Sequence, residues 1–241
     1  MKQYIQKVYR KTKKEYFEYI EQRLKNDQKT FVVTANPEIL MLGEQNEDFD
    51  KILMDSQTEI IADGIGVVKG AKIFGIDLPE RITGVELVEQ LIQYCDKYNK
   101  GIYLFGAKQE VIEQMVKTIK EKYPKCNILG AQNGYVQDKQ AVFEEIAKAK
   151  PDVVLVALGT PAQEKIIYQN LNKFEKGIFV GVGGSFDVIS GMKKRAPKIF
   201  IKLNLEWLYR IAFSPKRWKR FYNGNIKYIF KIKKEARKNK W

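Results

Sequence analysis

The chain has 241 residues, 44% of them apolar, which is enough for one large domain or two small ones around a real core and too apolar for a disordered chain. It carries 43 Lys plus Arg against 29 Asp plus Glu, a net of +14, and contains no histidine. That absence excludes histidine zinc sites, histidine-dependent triads and imidazole acid–base chemistry, leaving a carboxylate, or less readily Lys, Tyr or Cys, as any general base. Cys95 and Cys126 share no CxxC spacing, are too few for a thiolate metal site, and fit a reducing cytosol.

In chain order, Lys14 to Leu24 has the spacing of a helix with Phe17, Ile20 and Leu24 on one face, followed by FVVT (31–34) as a buried strand. Asn36-Pro37 predicts a turn into a helix reaching Gln45, and Asp48 is positioned to cap the next helix, which carries Phe49, Ile52 and Leu53. EIIADG (59–64) returns to strand. A helix is expected from Thr83 or Gly84 through Tyr98, then GIYLFGA (101–107) as strand and Gln109 to Lys122 as helix. CNILGA (126–131), a helix over 138–150, DVVLVALG (152–159), a helix over 161–171 and GIFVGVGG (177–184) repeat the rhythm. Strands of unbroken Val, Ile and Leu separated by helices need both faces covered, so the expected fold class is α/β, a mostly parallel Rossmann-like sheet flanked by helices.

Charge divides the chain near Pro197. Residues 198–241 hold 14 Lys plus Arg against Glu206 and Glu235, a net of +12, leaving +2 for residues 1–197. The basic segment is interleaved with aromatics such as Trp207, Tyr209, Trp218 and Phe230, and it reads as two helices, 199–213 and 225–238, separated at Pro215. On the second, Lys227, Lys231, Lys234 and Lys238 form a stripe beside Ile226, Ile229 and Phe230. The expected domains are an α/β catalytic domain, 1–197, and a basic, aromatic-rich, membrane-associating appendage, 198–241. No run approaches the ~18 apolar residues of a membrane span and no signal-peptide core opens the chain, so the expected location is peripheral, on an anionic membrane surface. A nucleic-acid-binding α/β protein is the competing class, since +14 with interleaved aromatics serves that purpose too.

Ligands of open parallel sheets bind beyond the carboxyl ends of the strands. Four such ends are polar here. Asp63 follows an apolar strand, where partial burial raises a carboxylate's pKa, making it the candidate general base; the alternative is an Asp capping its own turn at Gly64 and Ile65. Asp187 and Glu164 are weaker candidates. Thr34 and Asn36 offer a hydroxyl and an amide for a sugar, with Asn36 equally a turn former. Gln163 can bond sugar hydroxyls or serve as an ordinary first-turn amide. Gly183 and Gly184, within GVGGSFD, expose amides toward a diphosphate or simply let helix and sheet approach. Arg81 pairs with phosphate or with Glu80 and Glu86. Arg210, Arg217 and Arg220 are suited to clamp phosphates, or form a solvated face.

The strings VVTANPE (32–38), ADGIGVV (62–68), RITG (81–84), LFGA (104–107), VALGTPAQE (156–164), GVGGSFDVISG (181–191), RAP (195–197) and LEWLYRIAFSPKRWKR (205–220) resemble, in order, the WecG/TagA/CpsF family of bacterial glycosyltransferases, nearest its wall teichoic acid branch. The resemblance implies an inverting transferase using a UDP sugar, UDP-N-acetylmannosamine for that branch, and an undecaprenyl-diphosphate-linked N-acetylglucosamine acceptor. Another UDP sugar in surface-polysaccharide synthesis is the alternative within the family. It also implies Asp63 as base, Thr34 as active-site threonine, Asn36 and Gln163 in the pocket, and Arg210, Arg217 and Arg220 as functional arginines of a tail that closes over it. No cofactor or metal, no nucleic acid, the cytoplasmic face of the membrane and a possible homodimer complete the expectation. Relatives open with a short strand and a Gly-containing turn; here Tyr9, Arg10 and Lys11 stand instead, which leaves that strand's pairing open.

Overall fold

A computed structural model describes residues 1–203, 205–206, 208–209 and 222–238. Its centre is a six-stranded sheet in the order β2-β1-β6-β5-β3-β4, every pair parallel. The strands are β1 (Thr30–Ala35), β2 (Thr58–Ala62), β3 (Gly101–Gly106), β4 (Asn127–Gln132), β5 (Val153–Ala157) and β6 (Ile178–Gly181). β1, β3, β5 and β6 are buried at every residue, which explains their unbroken apolar character, whereas the edge strand β4 is not.

The helices are sorted by the handedness of their crossovers. α3 (Pro37–Gln45) and α4 (Glu47–Met54) connect β1 to β2, α8 (Lys139–Ala149) connects β4 to β5, and α9 (Ala162–Asn170) connects β5 to β6. All of these step in one direction across the sheet and pack into one core, around Leu40, Phe49, Phe143 and Ile167. α6 (Gly84–Tyr98) and α7 (Gln109–Lys122) step the other way and pack on the opposite face, around Leu91, Ile92 and Met115. A right-handed crossover leaves no other choice of face. α2 (Lys13–Lys25) joins α6, with the Thr12–Glu15 capping box at its start.

Several local expectations change. α1 (Lys2–Lys7) precedes the helix expected first, and the N-terminal strand reduces to one parallel bridge, Val8 to Ile60. Asn46, not Asp48, caps α4, because its Oδ1 accepts from the Phe49 amide at 2.9 Å while Asp48 sits inside the first turn. α5 (Ile65–Ile73), unforeseen because two glycines interrupt its pattern, follows Asp63 directly. The short α10 (Ser185–Ile189) follows the β6 glycines. Within its described part, the single helix expected over 199–213 is instead α11 (Lys198–Lys202) and a new turn. The Leu205 amide donates five residues back to the Phe200 carbonyl at 2.7 Å, a wider step that redirects the chain.

A π-helical turn (Tyr222–Ile226) leads into α12 (Lys227–Lys238). Its amphipathic face is not the one the lysine stripe indicated: Tyr228 and Ile232 are buried in the same core as α3 and α5, while Ile229 and Phe230 remain exposed. The approach to α5 is close, since a Cβ on Gly70 would lie 2.3 Å from the Tyr228 hydroxyl and 2.6 Å from Ile232 Cδ1. The Tyr228 hydroxyl is buried with no hydrogen-bond partner among the described residues, and burial pushes its pKa up. Tyr228→Phe keeps the ring and removes that cost, so the variant is expected to be as stable as the parent or more stable by up to about 1 kcal/mol, read from urea denaturation.

Candidate active site

Helices following the neighbouring strands β1 and β6 leave to opposite faces, α3 to one and α10 to the other. This is a topological switch point, where the strand ends part and leave a crevice. Thr34 sits on the β1 side, nearly buried, with its hydroxyl donating to the Gly181 carbonyl at the end of β6 (3.3 Å). Next to β1 on its other side, the β2 pairing ends at Ala35 opposite Ala62, and Asp63 continues it with its amide donating to the Ala35 carbonyl at 2.9 Å. The sheet thereby puts Thr34, Asn36 and Asp63 at one edge.

Asp63 is half-buried, and its Oδ1 accepts from the amide of Gly84 at 3.3 Å. The segment before α6 is drawn across the end of β2 by the Ile82 amide, which donates to the Ala62 carbonyl at 2.8 Å. Thr83 then caps α6 in a reciprocal box with Glu86. A helix start, which favours negative charge, therefore stands against the Asp63 carboxylate. That Gly84 partner lies 21 residues away in the chain, at the helix start. A Cβ on Gly84 would stand 3.6 Å from Ser185 Oγ and 3.7 Å from Thr34 Oγ1, so two hydroxyls share this corner. Ser185 was not singled out in the sequence; only its position just after the β6 glycines pointed toward it.

The residues on the far side of the crevice are committed to one another. Gln163 Oε1 accepts from the amides of Gly159 and Gly183, both at 3.0 Å, tying the end of β5 to the end of β6. Gly183 therefore turns its amide inward to Gln163, not toward a diphosphate, and the Gln163 amide is a brace between the two loops. Gly159 and Gly183 adopt φ of +78° and +47°, which glycine accommodates best, and among the described residues a Cβ on either meets nothing within 4 Å. Among the described residues, the one atom near a Cβ on Gly184 is Asp187 Oδ2, at 3.8 Å. Asp187 pairs with Lys193 at 2.6 Å. Glu164 is buried, accepts from Gln163 Nε2 (2.8 Å) and Thr160 Oγ1 (3.2 Å), and has its pKa raised by that burial. Asn36 realises its turn-forming alternative, its Oδ1 capping α3 at the Ile39 amide (3.0 Å).

Arg81 faces neither Glu80 nor Glu86. It pairs with Glu206 at 3.6 Å, both side chains largely buried, and so fastens the turn after α11 beside the Asp63 corner. Glu86 is occupied by Thr83 and Lys13, and Glu80 accepts from the Lys13 amide. The π-helical turn closes in from another side: a Cβ on Gly224 would be 3.1 Å from Glu38 Cβ, and one on Gly66 3.6 Å from Asn225 Oδ1. Two separate parts of the basic segment thus reach the rim of the crevice. Arg210, Arg217 and Arg220 lie outside the described residues. Among the described residues, no three carboxylate or thiolate groups are arranged to hold a metal, and no helix is long and apolar enough to cross a membrane.

A doubly wound parallel sheet with a half-buried carboxylate, hydroxyls and a helix start at its switch point is the architecture of α/β enzymes that bind ligands beyond their strand ends. The chain belongs to the Glycosyl transferase WecG/TagA/CpsF family, whose profile matches residues 4–241. It is accordingly a glycosyltransferase. Among its relatives, one from Bacillus subtilis (strain 168) is 42% identical over 222 residues, covering 92% of this chain and 84% of the relative. Another, from Bacillus spizizenii (strain ATCC 23059 / NRRL B-14472 / W23), is 41% identical over 207 residues, covering 86% and 80%. A third, from Staphylococcus aureus (strain NCTC 8325 / PS 47), is 37% identical over 215 residues, covering 87% and 82%. All three are named N-acetylglucosaminyldiphosphoundecaprenol N-acetyl-beta-D-mannosaminyltransferase.

Proposed function

We propose that this protein transfers N-acetylmannosamine from UDP-N-acetylmannosamine to undecaprenyl-diphosphate-linked N-acetylglucosamine, with inversion, in the synthesis of the wall teichoic acid linkage unit. The single observation that carries the reading is Asp63, held at the switch-point edge by the Gly84 amide within the same corner as Thr34. The names of three relatives at 37% to 42% identity supply the substrates.

The acceptor hydroxyl oxygen attacks the anomeric carbon from the face opposite UDP while Asp63 takes its proton; the bond from that carbon to the diphosphate breaks, and UDP leaves with the electron pair. Thr34 orients the sugar. Arg210, Arg217 and Arg220 bring positive charge to the departing diphosphate, the part a divalent ion plays in many other transferases. Residues 1–197 do the chemistry, and 198–241 complete the site and seat the enzyme on the anionic cytoplasmic face of the membrane. Exposed Phe230 and Ile229, beside exposed Lys227 and Lys234 on α12, support that seating.

Purified protein offered several UDP sugars with a short-chain lipid-diphosphate N-acetylglucosamine is expected to form the N-acetylmannosamine product fastest, at the same rate with and without EDTA. A faster product from another UDP sugar would overturn the donor assignment. Loss of transfer in EDTA would overturn the role given to the arginines.

A further inference from the structure

The Glu164 carboxyl is the most deeply buried acidic group at the crevice, only 1% exposed, and the transfer step as written does not use it. Its Oε1 is occupied twice, by Gln163 Nε2 and Thr160 Oγ1, and its Oε2 is sealed in with no hydrogen-bond partner among the described residues. A group so enclosed does not meet an acceptor hydroxyl, which removes Glu164 as a competing base. Of its two contacts, the one that leads on to the neighbouring loop is the side-chain amide of Gln163.

That amide can point only one way. Two backbone N–H groups, from Gly159 and Gly183, converge on its oxygen at 3.0 Å each. Its nitrogen needs an acceptor on the opposite side, and Glu164 Oε1 is that acceptor. Turning the amide over would set its NH2 against two N–H donors and its oxygen against the carboxyl. There is no slack to evade this, because Gln163 lies flat against the last residue of β6: a Cβ on Gly181 would stand 2.7 Å from Gln163 Nε2.

We propose that Glu164 is a positioning residue for glycosyl transfer, its buried carboxyl locking the Gln163 amide so that the β5 and β6 glycine loops are held at one separation along the far side of the crevice. The proposal rests on the reading of this crevice as the donor-sugar site. Both loops turn on a glycine at positive φ, a residue that reaches many backbone conformations at little cost, so bonds from neighbouring groups have to select one arrangement. Releasing the brace lets them move by fractions of an ångström, which is enough to spoil the alignment on which a displacement reaction depends.

The test compares Glu164→Gln, Glu164→Ala, Gln163→Ala and the double Ala variant in the full chain. Glu164→Gln retains a carbonyl for Gln163 Nε2 and Thr160 Oγ1 and is expected to keep kcat/KM within about fivefold of the parent. Glu164→Ala is expected to lose roughly 30- to 100-fold, mainly through a higher KM for the UDP sugar, in keeping with the cost of a small misplacement. Because the carboxyl acts through Gln163, the double variant should be no worse than Gln163→Ala within about threefold. Losses that multiply, or Glu164→Gln falling as far as Glu164→Ala, would overturn the proposal. Hydrogen exchange over 157–161 and 181–185 gives a substrate-free readout: faster exchange at Gly159 and Gly183 in Glu164→Ala but not in Glu164→Gln is expected, and unchanged exchange in both would refute the brace. Absence of transfer by the parent with every UDP sugar would instead count against the proposed function, leaving the exchange result to decide the role of Glu164.

Discussion

Asp63→Asn is expected to lower kcat by about a thousandfold, in the middle of the range for removing a general base, while KM for the UDP sugar and the melting temperature stay close to those of the parent. The substitution is nearly isosteric and leaves an oxygen for the Gly84 amide, which donates to Oδ1 at 3.3 Å, so the link between the β2 end and the α6 start survives. What it removes is a place for the acceptor's proton. The measurement is single-turnover transfer with the lipid acceptor, alongside a thermal melt. Near-parental turnover would assign the base to another residue. A large fall in melting temperature with a proportionate loss of activity would mean that Asp63 serves only to hold α6 in place.

The second large effect is expected at a residue outside the crevice. Gly70 lies in the middle of α5, where glycine costs about 1 kcal/mol relative to alanine, so a favourable interaction must offset it. The close approach of α12 accounts for that: Tyr228 and Ile232 occupy the space a side chain would need, within 2.3 and 2.6 Å of a Cβ. Gly70→Val therefore pushes α12 off α5, at an overpacking cost of about 1–3 kcal/mol, and with α12 moves the π-helical turn seated on Gly66 and Glu38. Transfer is expected to fall by roughly tenfold or more, because the turn reaches the rim, while the melting temperature drops by only a few degrees. Truncation after Pro197 is a poorer experiment, since it also strips Tyr228 and Ile232 from the core. Sedimentation with anionic vesicles, run on the Gly70→Val protein, separates the two duties of the appendage: full binding with reduced transfer would mean that docking on α5 serves catalysis and not anchoring. Full transfer with α12 displaced, as seen by accelerated hydrogen exchange over 227–238, would reject the contribution of the docked segment.

Local order along the chain was legible wherever one short-range interaction outweighs the rest. Unbroken apolar runs such as VVLVAL between helical stretches read as strands covered on both faces, Asn36-Pro37 reads as a turn into a helix, and Thr83 or Gly84 as a helix start. These depend on neighbours within four residues, and the amino-acid sequence by itself determined them, together with the parallel sheet and the polar strand ends that its rhythm requires. Arg81 illustrates the opposite case. Nearby Glu80 and Glu86 looked like its partners, yet it pairs with Glu206, 125 positions later, because a redirected turn after α11 brings that carboxylate to it. Gln163 and Gly183 looked like ligand contacts and instead bond each other, since a strand order of β5 beside β6 places their loops side by side. Likewise, the lysine stripe on α12 marked one face, while packing against Gly70 selected Tyr228 and Ile232 for burial. Composition and periodicity report what a segment prefers; which polar groups are spent on one another and which remain for substrate depends on distances between segments far apart in the chain, and only the tertiary structure decided those.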